Sequence, residues 1–283
     1  MQVVLISGLS GSGKSVALKV LEDSGYYCVD NLPVQLFAET VQLLRIAGHD
    51  RVAVSIDARG GAAVAMLPKH IEGLKFQGVD ARLIFLDAKD DTLLRRFAET
   101  RRRHPLAADQ TTLEEAIKRE RELLSAIAEV GHRIDTSDLH ANVLRNWIKE
   151  LLHADRGQTS LLFESFGYKQ GIPLDADFVF DVRCLPNPFY DLNLRPLTGR
   201  DAEVIQFIRK DPMAGQMLAD IRSFMETWLP AFRKDNRAYV TIAIGCTGGQ
   251  HRSVYMAEQL ATHFRTPPQN KGPVLTRHRQ LSP

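Results

Sequence analysis

Short apolar runs alternate with amphipathic stretches along the first half of the chain. The runs are rich in Val, Ile and Leu, a pattern typical of strands buried on both faces of a parallel sheet. Predicted strands cover residues 3–6, 26–29, 51–57, 83–87 and 134–137, and predicted helices cover 16–22, 34–46, 62–76 with a break at Pro68, 92–99, 111–129 and 141–152. The alternation predicts an α/β fold with a doubly wound parallel sheet.

A polar, glycine-containing stretch at residues 153–159 interrupts this alternation. Beyond it, the pattern predicts strands at 161–165, 178–182 and 239–244 and helices at 203–209, 217–229 and 254–264, the helix at 217–229 being ended by Pro230. We therefore predict two domains, residues 1–153 and 160–283, the second also of α/β class.

Composition narrows the class of protein. With 283 residues, 25% charged and 44% hydrophobic, the chain is expected to fold as two globular domains. No apolar run approaches the roughly 20 residues that span a bilayer, and the chain begins directly with a strand pattern, so a cytoplasmic location is expected. Cys28, Cys184 and Cys246 are odd in number and lack paired spacing, which argues against a disulfide framework or a zinc site. A net charge of +2 does not by itself indicate a nucleic-acid binder.

The first predicted strand leads into a glycine loop that has the spacing of a phosphate-binding P-loop. Its residues are Gly8, Leu9, Ser10, Gly11, Ser12, Gly13, Lys14 and Ser15. Glycines let the backbone amides point inward at an anion, and the following helix adds its N-terminus. Lys14 would reach the β- and γ-phosphates of ATP or GTP, and the Ser15 hydroxyl would ligate Mg²⁺. Strand, loop and helix follow in the order that this chemistry needs.

Acidic residues end several of the predicted strands. Asp57 is the first choice for the water shell of Mg²⁺, and Lys14, Ser15 and Asp57 are the candidate catalytic residues. Asp87 ends a strand of the same form and remains a rival. Asp30 is either a partner of the metal or the N-cap of the helix that Pro33 opens.

Arginines cluster after the fourth predicted strand. Arg95 and Arg96 precede the run at residues 101–105, Arg-Arg-Arg-His-Pro. Such a segment could act as a lid that neutralises charge over the phosphates. The alternative is a solvated basic helix end, favoured by the helix dipole.

A second glycine turn joins a buried strand to a helix at residues 245–253. Cys246 and Arg252 have the spacing of the cysteine-dependent phosphatases, in which an arginine grips phosphate beside a thiolate. The histidine that usually precedes the cysteine is Gly245 here. The turn therefore favours phosphate or phosphosugar binding without thiol catalysis, and a phosphatase stays the alternative.

The C-terminal stretch is basic. No acidic residue follows Glu258, while the tail carries Lys271, Arg277 and Arg279. These three are candidate contacts to an RNA backbone, and a merely solvated charge run is the alternative.

Five stretches together resemble the RNase adapter protein RapZ family of bacteria. They are residues 8–15, 27–33 (Tyr-Cys-Val-Asp-Asn-Leu-Pro), 163–169 (Phe-Glu-Ser-Phe-Gly-Tyr-Lys), 181–188 with Asp-Val-Arg and Leu-Pro-Asn-Pro, and 245–253 (Gly-Cys-Thr-Gly-Gly-Gln-His-Arg-Ser). The resemblance runs nearly end to end and is more specific than a P-loop alone.

This resemblance implies two ligand sites. The first domain is expected to be a P-loop kinase-like domain with weak ATPase and GTPase activity. Its nucleotide contacts are expected from residues 8–15 and from Asp57, Ala58, Arg59 and Gly60. The second domain is expected to bind glucosamine-6-phosphate and small RNA, and candidates for the phosphosugar pocket are Asp181, Thr247, Gly248, Gly249, His251, Arg252 and Ser253.

The resemblance also implies partners. Enterobacterial members deliver a small RNA to an endoribonuclease, so controlling amino-sugar synthesis, and assemble as homotetramers; two-component regulators are further candidate partners. This chain departs from their lysine- and arginine-rich tip, because it finishes with residues 279–283, Arg-Gln-Leu-Ser-Pro. The rival function is a small-molecule kinase whose second domain supplies the acceptor.

Overall fold

The computed structural model describes residues 1–107, 110–153, 159–234, 237, 239–266 and 272–281. The chain divides into two compact units, Met1–Leu152 and His153–Pro283. Among the described residues, no helix is both long and apolar enough to cross a bilayer.

The first unit is a parallel sheet with helices in each connection. Its elements are β1 (Gln2–Gly8), α1 (Lys14–Asp23), β2 (Tyr27–Val29), α2 (Phe37–Ile46), β3 (Arg51–Ser55), α3 (Leu67–Phe76), β4 (Asp80–Asp87), α4 (Asp90–Thr100), α5 (Leu113–Val130), β5 (His132–Asp135) and α6 (Ala141–His153), with 3₁₀ segments at Val34–Leu36 and Ala58–Met66. The strand order is β2-β3-β1-β4-β5, and every described pairing is parallel. This is the predicted doubly wound fold, with β1 at the point where the order reverses.

Local sequence explains the main boundaries. All seven residues of β1 are buried, as expected for a central strand covered on both faces. A capping box starts α5: the Glu115 amide donates to the Thr112 hydroxyl at 3.2 Å, and the Thr112 amide donates to the Glu115 carboxylate at 2.9 Å. The helix predicted over 62–76 divides where the break was expected, because Pro68 lies in the first turn of α3, where its missing N–H costs no hydrogen bond.

The second unit is a smaller α/β layer. Its elements are β6 (Ser160–Gly167), β7 (Phe178–Asp181), α7 (Ala202–Arg209), α8 (Pro212–Lys234), β8 (Tyr239–Cys246), α9 (Arg252–Arg265) and β9 (Val274–His278), with 3₁₀ segments at Tyr168–Gln170 and Pro188–Tyr190. The strand order is β7-β8-β6-β9, again parallel throughout the described pairings.

One sequence-based expectation was wrong in this unit, and one strand was not predicted. The helix predicted to stop at Pro230 continues to Lys234, because Leu229 and Phe232 on either side of the proline both pack in the second core. The strand that was not predicted lies in the basic tail, where β9 pairs with β6 over residues 274–278. The pairing satisfies the backbone groups on the β6 side of this edge strand.

Candidate functional sites in the two units

Glycines are required by the geometry of the first loop. Gly8, Gly11 and Gly13 have φ angles of 142°, 86° and 105°, a region that side chains disfavour. A Cβ on Gly8 would lie 2.0 Å from the Leu86 carbonyl oxygen of β4, and one on Gly13 would lie 2.8 Å from Leu144 Cδ2. The glycine spacing therefore allows both the turn and the close approach of β4 and α6.

The loop keeps backbone donors for a ligand. The amides of Leu9 and Ser12 donate to the carbonyl oxygens of Leu86 and Leu9, at 3.1 and 3.0 Å. Within the described ranges, the amides of Gly11, Gly13, Lys14 and Ser15 donate to no protein acceptor. These four N–H groups, together with the N-terminus of α1, suit an anion such as a phosphate.

Lys14 folds across this loop. Its Nζ donates to the carbonyl oxygens of Gly8 at 2.7 Å and Leu9 at 3.1 Å. Burial lowers the pKa of Lys14, although carboxylates nearby, first that of Glu120, favour its charged form. The Ser15 side chain is exposed at the start of α1. Both residues are therefore placed at the phosphate end of the loop.

Two residues hold the outer side of the loop in place: Thr136, which follows β5, and Arg96, which lies on α4. Thr136 Oγ1 donates to the Ser12 carbonyl oxygen at 2.9 Å. Arg96 donates to the carbonyl oxygens of Gly11 at 3.0 Å and Thr136 at 2.6 Å. Arg96 thus holds the loop, whereas Arg95 and residues 101–103 have exposed side chains. The lid remains a prediction for this exposed group.

The rival strand-end carboxylates have different neighbours. Asp87 is buried and accepts hydrogen bonds from Arg121 at 2.9 Å, from Arg133 Nε at 2.9 Å and from the Ala88 amide at 2.7 Å. Asp57 accepts from the Arg59 amide at 3.0 Å and lies 3.3 Å from Arg59 Nε. The carboxylate of Asp87 is therefore enclosed by two arginines, and Asp57 is the more available one.

The other nucleotide candidates cluster around Asp57. Ala58 is buried, while Arg59 is exposed and Gly60 packs near Val64. The N-cap role considered for Asp30 is wrong, because the 3₁₀ segment starts after Pro33 with no side-chain cap. Asp30 is exposed at the end of β2, where its charge acts on Lys14.

In the second unit, the turn between β8 and α9 is wrapped around the Cys246 sulfur. Cys246 is buried, and its Sγ accepts from the Gly249 amide at 3.2 Å and lies 3.1 Å from Ser253 Oγ. A Cβ on Gly245 would lie 2.5 Å from ring atoms of Phe166 and Tyr168, so any side chain there requires both rings to shift. Packing therefore disfavours the histidine of the phosphatase pattern at this position.

Arg252 anchors this turn to the loop that follows β7. Its Nη1 donates to the carbonyl oxygens of Arg183 at 2.7 Å and Leu185 at 3.0 Å, and its Nη2 donates to Thr247 Oγ1 at 3.2 Å. Its Nε is buried and has no hydrogen-bond partner in the described part of the chain. The same holds for Nε2 of His251. A buried N–H without an acceptor is costly, so this position suits an anion.

The remaining phosphosugar candidates lie at the same edge of the sheet. Asp181 pairs in register with Gly245 at the end of β8 and is exposed. Arg183 donates to both of its carboxylate oxygens, from Nε to Oδ1 at 3.0 Å and from Nη2 to Oδ2 at 2.6 Å, and holds the pKa of Asp181 below its usual range. Thr247 is exposed, Gly248 half-buried and Gly249 buried. Strand ends and the turn therefore form one polar rim.

The basic tail does not offer its arginines to solvent. Arg277 and Arg279 are 2% and 9% exposed, and Arg279 Nη1 lies 3.4 Å from Glu164 Oε1. Their burial argues against these two side chains as RNA contacts. Lys271 lies outside the described residues.

Sequence reasoning missed Glu120, Thr136 and Gln280. Glu120 is a charged residue on the apolar face of α5, in line with the buried Ile117 and Leu124, and that mismatch was a usable signal. Gln280 Oε1 accepts from the Gly167 amide at 2.8 Å and borders Gly249, a contact that no local pattern indicates.

Comparison with known proteins covers the whole chain. The RapZ-like N-terminal domain matches residues 1–156, and the RapZ C-terminal domain matches residues 159–282. A nucleotide-binding protein of Aromatoleum aromaticum is 62% identical over 100% of this chain and 96% of its own, and one of Thiobacillus denitrificans is 60% identical over 100% of both. A shikimate kinase from Bacteroides thetaiotaomicron is similar in structure with a TM-score of 0.39 and 17% identity, covering 53% of this chain and 97% of its own.

Proposed function

This chain is a P-loop nucleotide-binding protein of the RapZ family, and we propose that it is a regulator that also senses a phosphorylated amino sugar. ATP or GTP with Mg²⁺ would occupy the first loop and be hydrolysed slowly. Glucosamine-6-phosphate would occupy the second. The output would be delivery of a small RNA to an endoribonuclease by a homotetramer.

The open amides and the lysine of the first loop support triphosphate binding. The Ser15 hydroxyl and the Asp57 carboxylate are oxygen donors of the kind that Mg²⁺ prefers, and Mg²⁺ usually takes only one or two protein ligands beside phosphates and water. Bound Mg²⁺ would neutralise charge on the phosphates. Lys14 and the loop amides would hold the same oxygens in place.

Exchanging the two strand-end aspartates for asparagine separates their roles. Asp57→Asn is expected to lower Mg²⁺-dependent hydrolysis at least tenfold, while its amide oxygen still accepts from Arg59 and keeps stability within about 1 kcal/mol. Asp87→Asn is expected to lower the free energy of unfolding by about 1–3 kcal/mol, because Arg121 and Arg133 lose a shared carboxylate. Nucleotide turnover and urea unfolding of both variants test this. The reverse pattern would assign the metal to Asp87.

One observation carries the proposal for the second loop: Arg252 Nε is buried without a partner among the described residues, in a turn whose Gly248 and Gln250 amides also lack protein acceptors. Phosphate oxygens would satisfy these donors. The exposed carboxylate of Asp181 at the same rim suits the ammonium group of an amino sugar. The combination supports an amino-sugar phosphate over an uncharged sugar.

Cys246→Ser distinguishes binding from phosphatase chemistry. Serine can accept the same Gly249 N–H, so the variant is expected to bind glucosamine-6-phosphate within about tenfold of the wild-type affinity. The wild type is expected to release no phosphate from it. Turnover of a phosphoester by the wild type that disappears in Cys246→Ser would instead establish a thiol nucleophile.

An exposed aromatic and basic surface supports the RNA role better than the tail does. Tyr190 and Phe189 are 85% and 46% exposed, and the Arg195 guanidinium lies 4.2 Å from the centre of the Phe189 ring. Unpaired RNA bases stack on such side chains.

The regulatory role and the kinase alternative differ in the fate of the γ-phosphate. We expect glucosamine-6-phosphate to bind the full-length chain in a calorimetric titration. We also expect ATP to be hydrolysed far more slowly than the roughly 1 to 100 turnovers per second that are usual for kinases. Rapid transfer of labelled phosphate to a small acceptor, without binding of the phosphosugar, would favour the kinase.

A further inference from the structure

A fully buried carboxylate lies beneath the phosphate loop. Glu120 on α5 is 0% exposed and accepts from the Ser10 amide at 2.8 Å and from the Ser10 hydroxyl at 2.7 Å. His104 Nε2 lies 3.0 Å from the same carboxylate. Burial opposes the ionised form, but the His104 hydrogen bond, the charge of Lys14 and the Ser10 bonds hold the pKa of Glu120 below its usual value. The loop is therefore tied to α5 through Ser10.

The bond to His104 has a defined direction. His104 Nδ1 accepts from the Leu106 amide at 3.1 Å, so the ring proton lies on Nε2, which donates to Glu120. The His104 ring also packs 5.2 Å from that of Phe97 at the end of α4. His104 directly follows the exposed arginines 101–103. The chain His104–Glu120–Ser10 thus joins the basic segment to the phosphate loop.

We propose that Glu120 is the positioning residue of the phosphate loop, and that His104 couples the basic segment to it, so that ordering either one orders the other. Ser10 precedes Gly11, whose amide is open to ligand and whose carbonyl oxygen is held by Arg96. Fixing Ser10 therefore fixes the first of the free amides before a nucleoside triphosphate arrives. The expected effect of Glu120 on nucleotide affinity rests on the nucleotide site proposed above. Its expected effect on the order of the phosphate loop does not.

The alternative is that Glu120 only stabilises the fold as a satisfied buried polar group. The two roles differ in what a destabilising change elsewhere on α5 does. Leu124→Ala removes a buried apolar side chain from the same helix and leaves Ser10 untouched, so it is the matched control. Glu120→Gln is the conservative variant, because its amide oxygen can accept from the Ser10 amide and from His104 while its NH₂ group faces the Ser10 hydroxyl, which can turn to accept.

The experiment measures hydrogen exchange of residues 7–13 without nucleotide and MgATP affinity of the full chain. Glu120→Leu is expected to speed exchange at Ser10 and to weaken MgATP binding roughly 10- to 100-fold, as loss of positioning does. His104→Phe, which keeps the ring contact with Phe97, is expected to change both in the same direction by a smaller factor. Glu120→Gln should stay within about threefold of the wild type. Trypsin cleavage after residues 101–103 should be slowed by MgATP in the wild type and not in His104→Phe.

Wild-type exchange at Ser10 in His104→Phe, or an equal change in Leu124→Ala, would overturn the proposal. The exchange measurement decides the matter even if Glu120→Leu does not fold, because His104→Phe leaves the carboxylate in place. Failure of the wild type to bind MgATP would count against the nucleotide site and would leave the exchange result to judge the coupling.

Discussion

Lys14→Met will lower nucleotide hydrolysis roughly 10²- to 10³-fold and weaken triphosphate binding, with little change in the free energy of unfolding. The reason is positional, since Lys14 Nζ lies across the loop against the Gly8 and Leu9 carbonyl oxygens, beside the four open amides. Methionine keeps a similar length and helix propensity but supplies no charge or donor. Phosphate release and titration with a fluorescent nucleotide measure the two effects.

Lys19→Met is the matched control for Lys14→Met. Lys19 lies on the same helix, α1, and is exposed. The Lys19→Met variant should hydrolyse nucleotide at the wild-type rate. An equal loss in both variants would mean that general charge, and not the loop, accounts for nucleotide binding.

Gly249→Ala will remove phosphosugar binding while Gly248→Ala retains it. Gly249 has a φ of 74°, and a Cβ on it would lie 2.3 Å from Gln280 Oε1 and 2.7 Å from the Gly167 amide nitrogen. Alanine must therefore shift the amide that donates to Cys246 Sγ, and we expect a loss of stability of about 1–3 kcal/mol. A Cβ on Gly248 would meet nothing within 4 Å, so that variant should stay within about 0.5 kcal/mol of the wild type.

Calorimetric titration with glucosamine-6-phosphate and thermal unfolding of both glycine variants check this prediction. Nucleotide binding by Gly249→Ala serves as the internal control, since the first loop is unchanged. Phosphosugar binding by Gly249→Ala at the wild-type affinity would mean that the turn after β8 is not the ligand site.

The sequence predicted those parts of the fold and sites that depend on neighbours along the chain. Strand, glycine turn and helix N-terminus are local features, so both glycine turns and the capped start of α5 follow from spacing and residue type. Contacts between distant segments were not predictable in this way. Ser10 and Glu120 are 110 positions apart, and the choice between Asp57 and Asp87 depends on Arg121 and Arg133, which reach Asp87 from other elements.

The C-terminal segment shows a second limit of local reasoning. Its basic residues indicated a solvated or RNA-bound tail, yet Arg277 pairs in register with Glu164 as part of β9. The five residues of β9 are too few for their hydrophobic pattern to identify a strand. The positive charge of the segment then decides how its sequence is interpreted. Arg277 and Arg279 are buried beside β6, which lies more than 100 residues earlier in the chain. The sequence of the tail alone therefore could not predict their burial.

The central claim is that each unit holds its own phosphoryl ligand in an amide-lined turn. The most direct measurement is calorimetric titration of the full-length wild type, Lys14→Met and Gly249→Ala with MgATP and with glucosamine-6-phosphate. We predict that the wild type binds both ligands, that Lys14→Met loses only the nucleotide, and that Gly249→Ala loses only the phosphosugar. Absence of phosphosugar binding in the wild type, or loss of both ligands in either folded variant, would contradict the claim.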